Sequence, residues 1–144
     1  MRTTEEARAL GYRSGTEARI AEELERAYVK FDYEPKGAVV KYEVPAKPVR
    51  YLPDFVLENG IIIEVKGLFT PKDRKKHLLI KDQYPELDIR FVFSNPKQRL
   101  SKASKTTYAK WCEKNGFQYA NGSIPARWIA EPRKLDVVAY LGAV

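Results

Sequence analysis

The densest apolar pattern in the chain lies in two runs, 49–57 and 61–66, separated by Glu58-Asn59-Gly60. Asn-Gly between β-branched runs marks a hairpin. If Asn59 and Gly60 alone formed the loop, Asp54 would face Val65, and Glu64 would point to the opposite face, because strand side chains alternate. A three-residue loop, 58–60, with Gly60 in the left-handed region, sets Asp54 opposite Glu64 and leaves Lys66 on the same face. The other positions are apolar on both faces: Val56 and Ile62 on one, Phe55, Leu57, Ile61, Ile63 and Val65 on the other. Such a hairpin belongs in the middle of a covered sheet.

Ser14-Gly15-Thr16-Glu17 has the form of a capping box and opens a helix to about Tyr28, in which Glu17, Ala21, Leu24 and Tyr28 share a face. Short strands are predicted at 30–34 and 38–44, after which Pro45-Ala46-Lys47-Pro48 breaks the ladder. Thr70-Pro71-Lys72-Asp73 starts a helix that runs to about Gln83, with Leu78 and Leu79 facing in. Residues 88–94 read as a strand, 95–105 as a basic loop and 106–115 as a helix stopped at Gly116. A short strand at 117–120 and a helical turn at 124–129 follow. The apolar stretch 135–144 is assigned no element. This order predicts one mixed α/β domain, residues 1–144, around a central sheet.

At 144 residues, 44% of them hydrophobic, the chain can build one real core. No run approaches the length of a membrane span, and the N-terminus lacks an apolar signal-peptide core. The single cysteine, Cys112, cannot form an internal disulfide, and no Cys/His cluster suggests zinc. An intracellular, reducing, cytoplasmic location is expected. The net charge of +7, from 26 Lys+Arg against 19 Asp+Glu, favours a polyanionic partner, a bias that many basic proteins share without binding one.

Charge inside a β-branched run is costly unless it is paired or holds a metal. Asp54 and Glu64 offer hard oxygen ligands suited to Mg²⁺ or Mn²⁺, and Lys66 can orient water or stabilise charge on a phosphodiester under attack. The alternative is a buried ion pair of Lys66 with one acid, which leaves the other carboxylate unaccounted for. Glu17 is a fourth candidate if the first helix lays its N-terminal end against the sheet; a capping role accounts for it equally well. Lys72, Arg74, Lys75, Lys76 and Lys81 on the second long helix, with His77 among them, are candidates for contacting DNA, as are Lys97, Arg99, Lys102 and Lys105 in the loop. Against this stand a solvated helix face for the cations and a structural role for His77. Trp111 and Trp128 read as core.

Six stretches extend these motifs: Arg13-Ser14-Gly15-Thr16-Glu17, Leu52-Pro53-Asp54-Phe55, Glu64-Val65-Lys66-Gly67-Leu68, Asp73-Arg74-Lys75-Lys76-His77-Leu78-Leu79-Ile80, Pro85-Glu86-Leu87-Asp88-Ile89-Arg90 and Cys112-Glu113-Lys114. On them, from about Tyr12 to Lys134, the chain resembles the endonuclease I family of T-odd bacteriophages. The resemblance implies a restriction-endonuclease-like, PD-(D/E)xK α/β fold with a mixed central sheet flanked by helices. It implies a Mg²⁺-dependent endodeoxyribonuclease that resolves four-way (Holliday) junctions and other branched DNA by paired nicks, in the host cytoplasm if the chain is phage-encoded. Glu17, Asp54, Glu64 and Lys66 would hold the catalytic positions. Asp54, Glu64, Glu17 and the Val65 backbone carbonyl would ligate the metal. The resemblance also implies a homodimer with exchanged elements, residues 12–44 completing the site of the other chain across a proline-bearing bridge, 45–50, with 51–134 as the remainder of the core. The ends depart from the family, which has basic tails where this chain carries Glu5, Glu6 and an apolar C-terminus. DNA affinity is therefore expected to rest on the basic helix and the 95–105 loop. A sequence-specific or repair endonuclease of the same fold, and a non-catalytic junction-binding module, are the alternatives.

Overall fold

Seven strands and six helices form in the computed structural model, which describes residues 4–44 and 47–143. In chain order they are α1 (Thr4–Ala9), α2 (Gly15–Arg26), β1 (Phe31–Tyr33), a 3-10 turn (Lys36–Ala38), β2 (Val40–Val44), β3 (Lys47–Tyr51), β4 (Phe55–Leu57), β5 (Ile62–Lys66), α3 (Pro71–Gln83), β6 (Ile89–Phe93), α4 (Tyr108–Asn115), β7 (Tyr119–Asn121), α5 (Ala126–Ile129) and α6 (Val137–Ala143). The expected single domain of 1–144 and the bridge of 45–50 extend outside the described residues at Met1–Thr3, Pro45–Ala46 and Val144.

The central sheet has the order β1-β4-β5-β6-β7. Its first three strands are antiparallel, and β5, β6 and β7 run parallel. Both faces are covered. On one, Val56, Ile62, Ile89, Phe91 and Phe93 pack with Ile80, Trp111 and Val137 from the helices α3, α4 and α6. On the other, Phe55, Leu57, Ile61, Ile63 and Val92 meet Ile20, Ala21 and Leu24 of α2 and Trp128 of α5. The two-faced apolar alternation of the hairpin is thus a strand pair between two helical layers. Each large side chain buried there contributes roughly 1.5–3 kcal/mol.

Three expectations need correction. The run 49–57 is not one strand. β3 leaves the central sheet and pairs with β2, and β4 begins only at Phe55, beyond Leu52-Pro53, where proline cannot donate to a ladder. Pro48 does not end the ladder either, since Glu43 pairs with Pro48 and Val44 with Lys47; Pro45 lies outside the described residues. A two-stranded ribbon tolerates this because each strand is an edge. In α3 the fully buried residues are His77 and Ile80; Leu79 packs partly on the core as expected, while Leu78 stands 39% exposed. With few apolar positions on that helix, contact with the sheet decides which stripe turns in. The unassigned C-terminal stretch forms α6, and Val137, Tyr140 and Leu141 pack on the core.

The C-terminal strap also braces the β4–β5 hairpin. The Asn59 amide donates to the carbonyls of Trp128 (2.9 Å) and Glu131 (3.1 Å), and the Lys134 N–H donates to the Asn59 carbonyl (3.1 Å). Nearby, Arg90 is fully buried, pairs with Asp88 and Glu131, and lies 5.2 Å from the Trp128 ring centroid.

Helix α2 ends in a Schellman turn, Val29 N–H to the Leu24 carbonyl and Tyr28 N–H to the Glu25 carbonyl. Tyr28 occupies the left-handed position (φ 56°) that usually holds glycine, and its side chain is 95% exposed. Tyr28→Gly loses no packing and relieves the backbone. A gain of about 0.5–1 kcal/mol is expected, read as a rise of a few degrees in melting temperature.

Candidate active site

The register of the hairpin is the one that a three-residue loop requires. Phe55 pairs with Ile63 and Val56 with Ile62, which puts Asp54 opposite Glu64 one step further along. Gly60 has φ +93° and its N–H donates to the Leu57 carbonyl at 2.9 Å. Where the strands part, each acid bonds the other strand's backbone. The Asp54 N–H donates to Glu64 Oε2 at 3.0 Å, and the Val65 N–H donates to Asp54 Oδ2 at 2.9 Å. Both carboxylates are held at the carboxyl end of β5.

Helix α2 lies on the sheet face opposite to α3, yet its first turn reaches the same end of the sheet. Ser14 caps the helix by accepting from the Glu17 N–H at 3.1 Å. The Glu17 carboxylate is not spent on the cap backbone. Its Oε1 accepts from Ser14 Oγ at 3.1 Å and its Oε2 from the Tyr33 hydroxyl at 2.6 Å. Glu17, Glu34 and Asp54 each offer an oxygen within 4.8 Å of the others. Within this single chain, therefore, Glu17 stands beside its own Asp54.

Lys66 Nζ donates to Asp73 Oδ1 at 3.3 Å and lies 4.0 Å from Glu64 Oε1. Asp73 divides its two oxygens. Oδ2 accepts from the Thr70 N–H at 3.2 Å, closing a full capping box on α3, and Oδ1 holds the lysine. Burial pushes the Asp73 pKa up, but Lys66 and the Thr70 bonds outweigh it and the net shift is downward. His77 is fully buried, edge-on to Tyr51 and Phe91, with Nε2 4.0 Å from Glu64 Oε1. Burial, then Lys76 and Lys66, push its pKa well below the usual histidine value, so the ring is neutral.

Burial, then the charge of Glu64, raises the pKa of Asp54 to about 8. Burial also raises that of Glu64, against the pull of Lys66, of the nearby Tyr51 hydroxyl and of the Asp54 N–H. A divalent cation beside these carboxylates would favour their ionised form, and hard oxygens suit Mg²⁺ or Mn²⁺. The acids whose oxygens lie within 4.8 Å of one another are Glu17, Glu34 and Asp54, a set that includes Glu34 and not the expected Glu64. A pH effect follows for the metal-free chain. Between about pH 4, where an unfolded aspartate titrates, and about 8, folded Asp54 retains a proton that the unfolded chain has lost. Stability contributed by Asp54 is therefore present at low pH and lost as pH rises through that window. Melting temperature in a chelator should fall across it, and Asp54→Asn should flatten the slope.

An open cleft of about 610 Å³ is lined by Glu17, Asp54, Val65 and Lys66 together with Arg8 and Arg13. The Val65 carbonyl, expected as a ligand, belongs to a residue on that wall. Arg13 pairs with Glu34 at 3.4 Å. The cations of α3 divide. Lys72 and Lys75 are exposed. Arg74 donates to the Phe69 carbonyl at 2.6 Å, Lys81 to the Gly116 carbonyl at 3.1 Å, and the Lys76 amine sits 5.2 Å from the Tyr51 ring centroid. His77, at zero exposure, presents nothing to a polyanion. Lys97, Arg99, Lys102 and Lys105 are all exposed. They stand on an ordered loop in which Leu100 N–H donates to the Thr106 carbonyl and Tyr108 N–H to the Gln98 carbonyl, both at 2.9 Å. A second cleft, about 440 Å³, separates that loop from the start of α3 at Leu68, Phe69, Thr70 and Pro71.

Sequence reasoning missed Tyr33, Glu34, Asp73, Arg8 and Arg13. Asp73 had a signal, because a buried lysine needs an anion and the first turn of α3 follows it closely. The others had none, since only tertiary packing brings them to the cleft.

Residues 1–141 match the family described as phage endonuclease I. The chain is 50% identical over 123 residues to the Endonuclease I of Escherichia phage T7, covering 85% of this chain and 81% of that protein. It is 49% identical over 123 residues to the Endodeoxyribonuclease 1 of Enterobacteria phage T3, covering 85% and 80%.

Proposed function

The chain belongs to the phage endonuclease I family and is a DNA endonuclease, and on that premise we propose that it resolves four-way and other branched DNA by paired, Mg²⁺-dependent nicks on a restriction-endonuclease-like fold. The observation that carries the reading is that Asp54, Lys66 and Glu17 line one open cleft, with Glu64 buried 4.0 Å from the Lys66 amine and the acids of the hairpin each held by the other's strand.

Asp54, Glu64 and the Val65 carbonyl would hold the ion, with Glu17 at its flank. When bound there, such an ion would supply Lewis-acid neutralisation of charge gathering on the phosphate. Mn²⁺ should substitute, since the donors are all hard oxygens. Lys66, kept in place by Asp73, directs its ammonium toward the same cleft, where it can orient the attacking water or meet developing negative charge. Lys72, Lys75 and the 97–105 loop would track the phosphate backbone.

Selectivity for branched DNA is assigned to the geometry of a homodimer with two sites. The β2–β3 ribbon suggests how exchange would occur. If β2 and β3 separated and ran on as one strand, they could pair with the same strand of a second copy, repeating the contacts from Val40–Tyr51 to Val44–Lys47 between chains. Residues 12–44 would then carry Glu17 to the other site.

A supercoiled plasmid that extrudes a cruciform tests the reaction. With Mg²⁺ the product should be linear, and with chelator nothing should be cut. Linear duplex cut as fast as a junction would favour a sequence-specific or repair endonuclease. Junction binding with neither cutting nor Mg²⁺ binding would indicate an inert module. A mixed dimer of one Glu17→Ala chain and one Glu64→Gln chain tests exchange. Composite sites leave one site intact and restore single nicking; sites closed within each chain leave both dead.

A further inference from the structure

Tyr33 carries none of the charge of the proposed site, yet it ties that site's two halves together. Its hydroxyl donates to Glu17 Oε2 at 2.6 Å and accepts from the Arg13 N–H at 3.1 Å. Its ring is packed edge-on against Tyr12, centroids 4.6 Å apart, and tilted against Phe55 at 5.3 Å. Phe55 directly follows Asp54 and is the strand partner of Tyr33, while the next residue, Glu34, donates its N–H to the Asp54 carbonyl at 3.1 Å. Burial, then the bond to Glu17, raises the pKa of the tyrosine, so at neutral pH the hydroxyl keeps its proton and donates. Ser14 Oγ holds the other oxygen of Glu17.

Glutamate has three rotatable side-chain bonds, and Glu17 arrives from a helix on the far side of the sheet. A rigid ring placed by β1 against β4 removes that freedom. We propose that Tyr33 is a positioning residue for Glu17, fixing its carboxylate against Asp54 for strand cleavage. This rests on the reading of Glu17 as a member of the nuclease site. Tyr33 and Glu17 both lie within residues 12–44, so the pair stays together whether a site closes within one chain or between two.

Tyr33→Phe removes one oxygen and keeps the ring. The expected result is a roughly 10–100-fold fall in kcat on a four-way junction with Mg²⁺, with junction affinity and melting temperature little changed. Calorimetric Mn²⁺ binding should weaken roughly 10-fold, a readout independent of turnover. In a Glu17→Gln background, Tyr33→Phe should cost nothing further, because its effect runs through the group already altered. Cleavage by Tyr33→Phe at the unsubstituted rate, with Glu17→Gln slowed, overturns the positioning role alone. So does a loss that multiplies in the Glu17→Gln background. Normal cleavage by Glu17→Gln itself overturns the place of Glu17 in the site, and the role of Tyr33 with it.

Discussion

A Glu64→Gln chain is expected to cut a four-way junction at least about 10³-fold more slowly than the unsubstituted chain and to bind it as tightly. Glu64 is 3% exposed and stands at the meeting point of both halves of the hairpin. The substitution is nearly isosteric, and the remaining carbonyl oxygen can still accept from the Asp54 N–H, which now lies 3.0 Å from Oε2. The fold is therefore retained. What disappears is the anionic oxygen required to hold a divalent cation beside Asp54. Because burial already disfavours the Glu64 charge in the metal-free chain, losing it should leave the melting temperature unchanged or raise it. Cleavage of a cruciform plasmid, a junction gel shift and a thermal melt in chelator separate the terms. Cutting at an ordinary rate would remove Glu64 from the site. Loss of cutting together with a fall of many degrees would show that the residue holds the fold and not the chemistry. Lys66→Ala should also abolish cutting, and it leaves Asp73 and Glu64 without their cation, so a loss of stability is expected there as well.

The second large effect falls on a residue with no side chain. Gly60→Ala should cost about 3 kcal/mol or more, a large part of the total stability of an ordinary domain. Gly60 has φ +93°, and a Cβ there would lie 2.3 Å from the Leu135 carbonyl oxygen. That atom is backbone of the strap that braces the hairpin, so it cannot swing away. Relief requires displacing either the strap or the loop that sets Asp54 against Glu64. Gly122→Ala is the control. It has a similar φ, +76°, with nothing within 4 Å of the added atom, so only the backbone cost of roughly 1 kcal/mol applies. Denaturant unfolding of both variants measures the difference. Equal losses would show that the strap yields easily and does not brace the turn. Cleavage should fall with Gly60→Ala even where the chain remains folded, since the two acids lose their alignment.

The hairpin was legible because its determinants are local. A glycine suited to the left-handed region, a count of loop residues and the alternation of side chains settle which acids face each other. The helix caps at Ser14, Thr70 and Thr107 are equally local, and all three accept a backbone N–H three residues on. The error in α3 is instructive. Leu78 and Leu79 are the more hydrophobic residues, but Leu79 packs only partly on the core and His77 is turned fully into it, among three aromatic neighbours and 4.0 Å from Glu64. A helix rich in cations has no apolar stripe wide enough to declare its orientation, so packing chose.

Taken alone, the sequence determined the register of Asp54 and Glu64, the side on which Lys66 emerges, the two covered faces of the hairpin and the ends of the long helices. Each depends on interactions spanning a few residues. Tertiary structure decided which other groups reach that end of the sheet. Glu17 comes from across the sheet with Tyr33 to hold it, Asp73 takes Lys66 as well as its own helix cap, and Leu135 closes on Gly60 from 75 positions away. These contacts depend on how strands and helices stack in three dimensions, and spacing along the chain carries no trace of that.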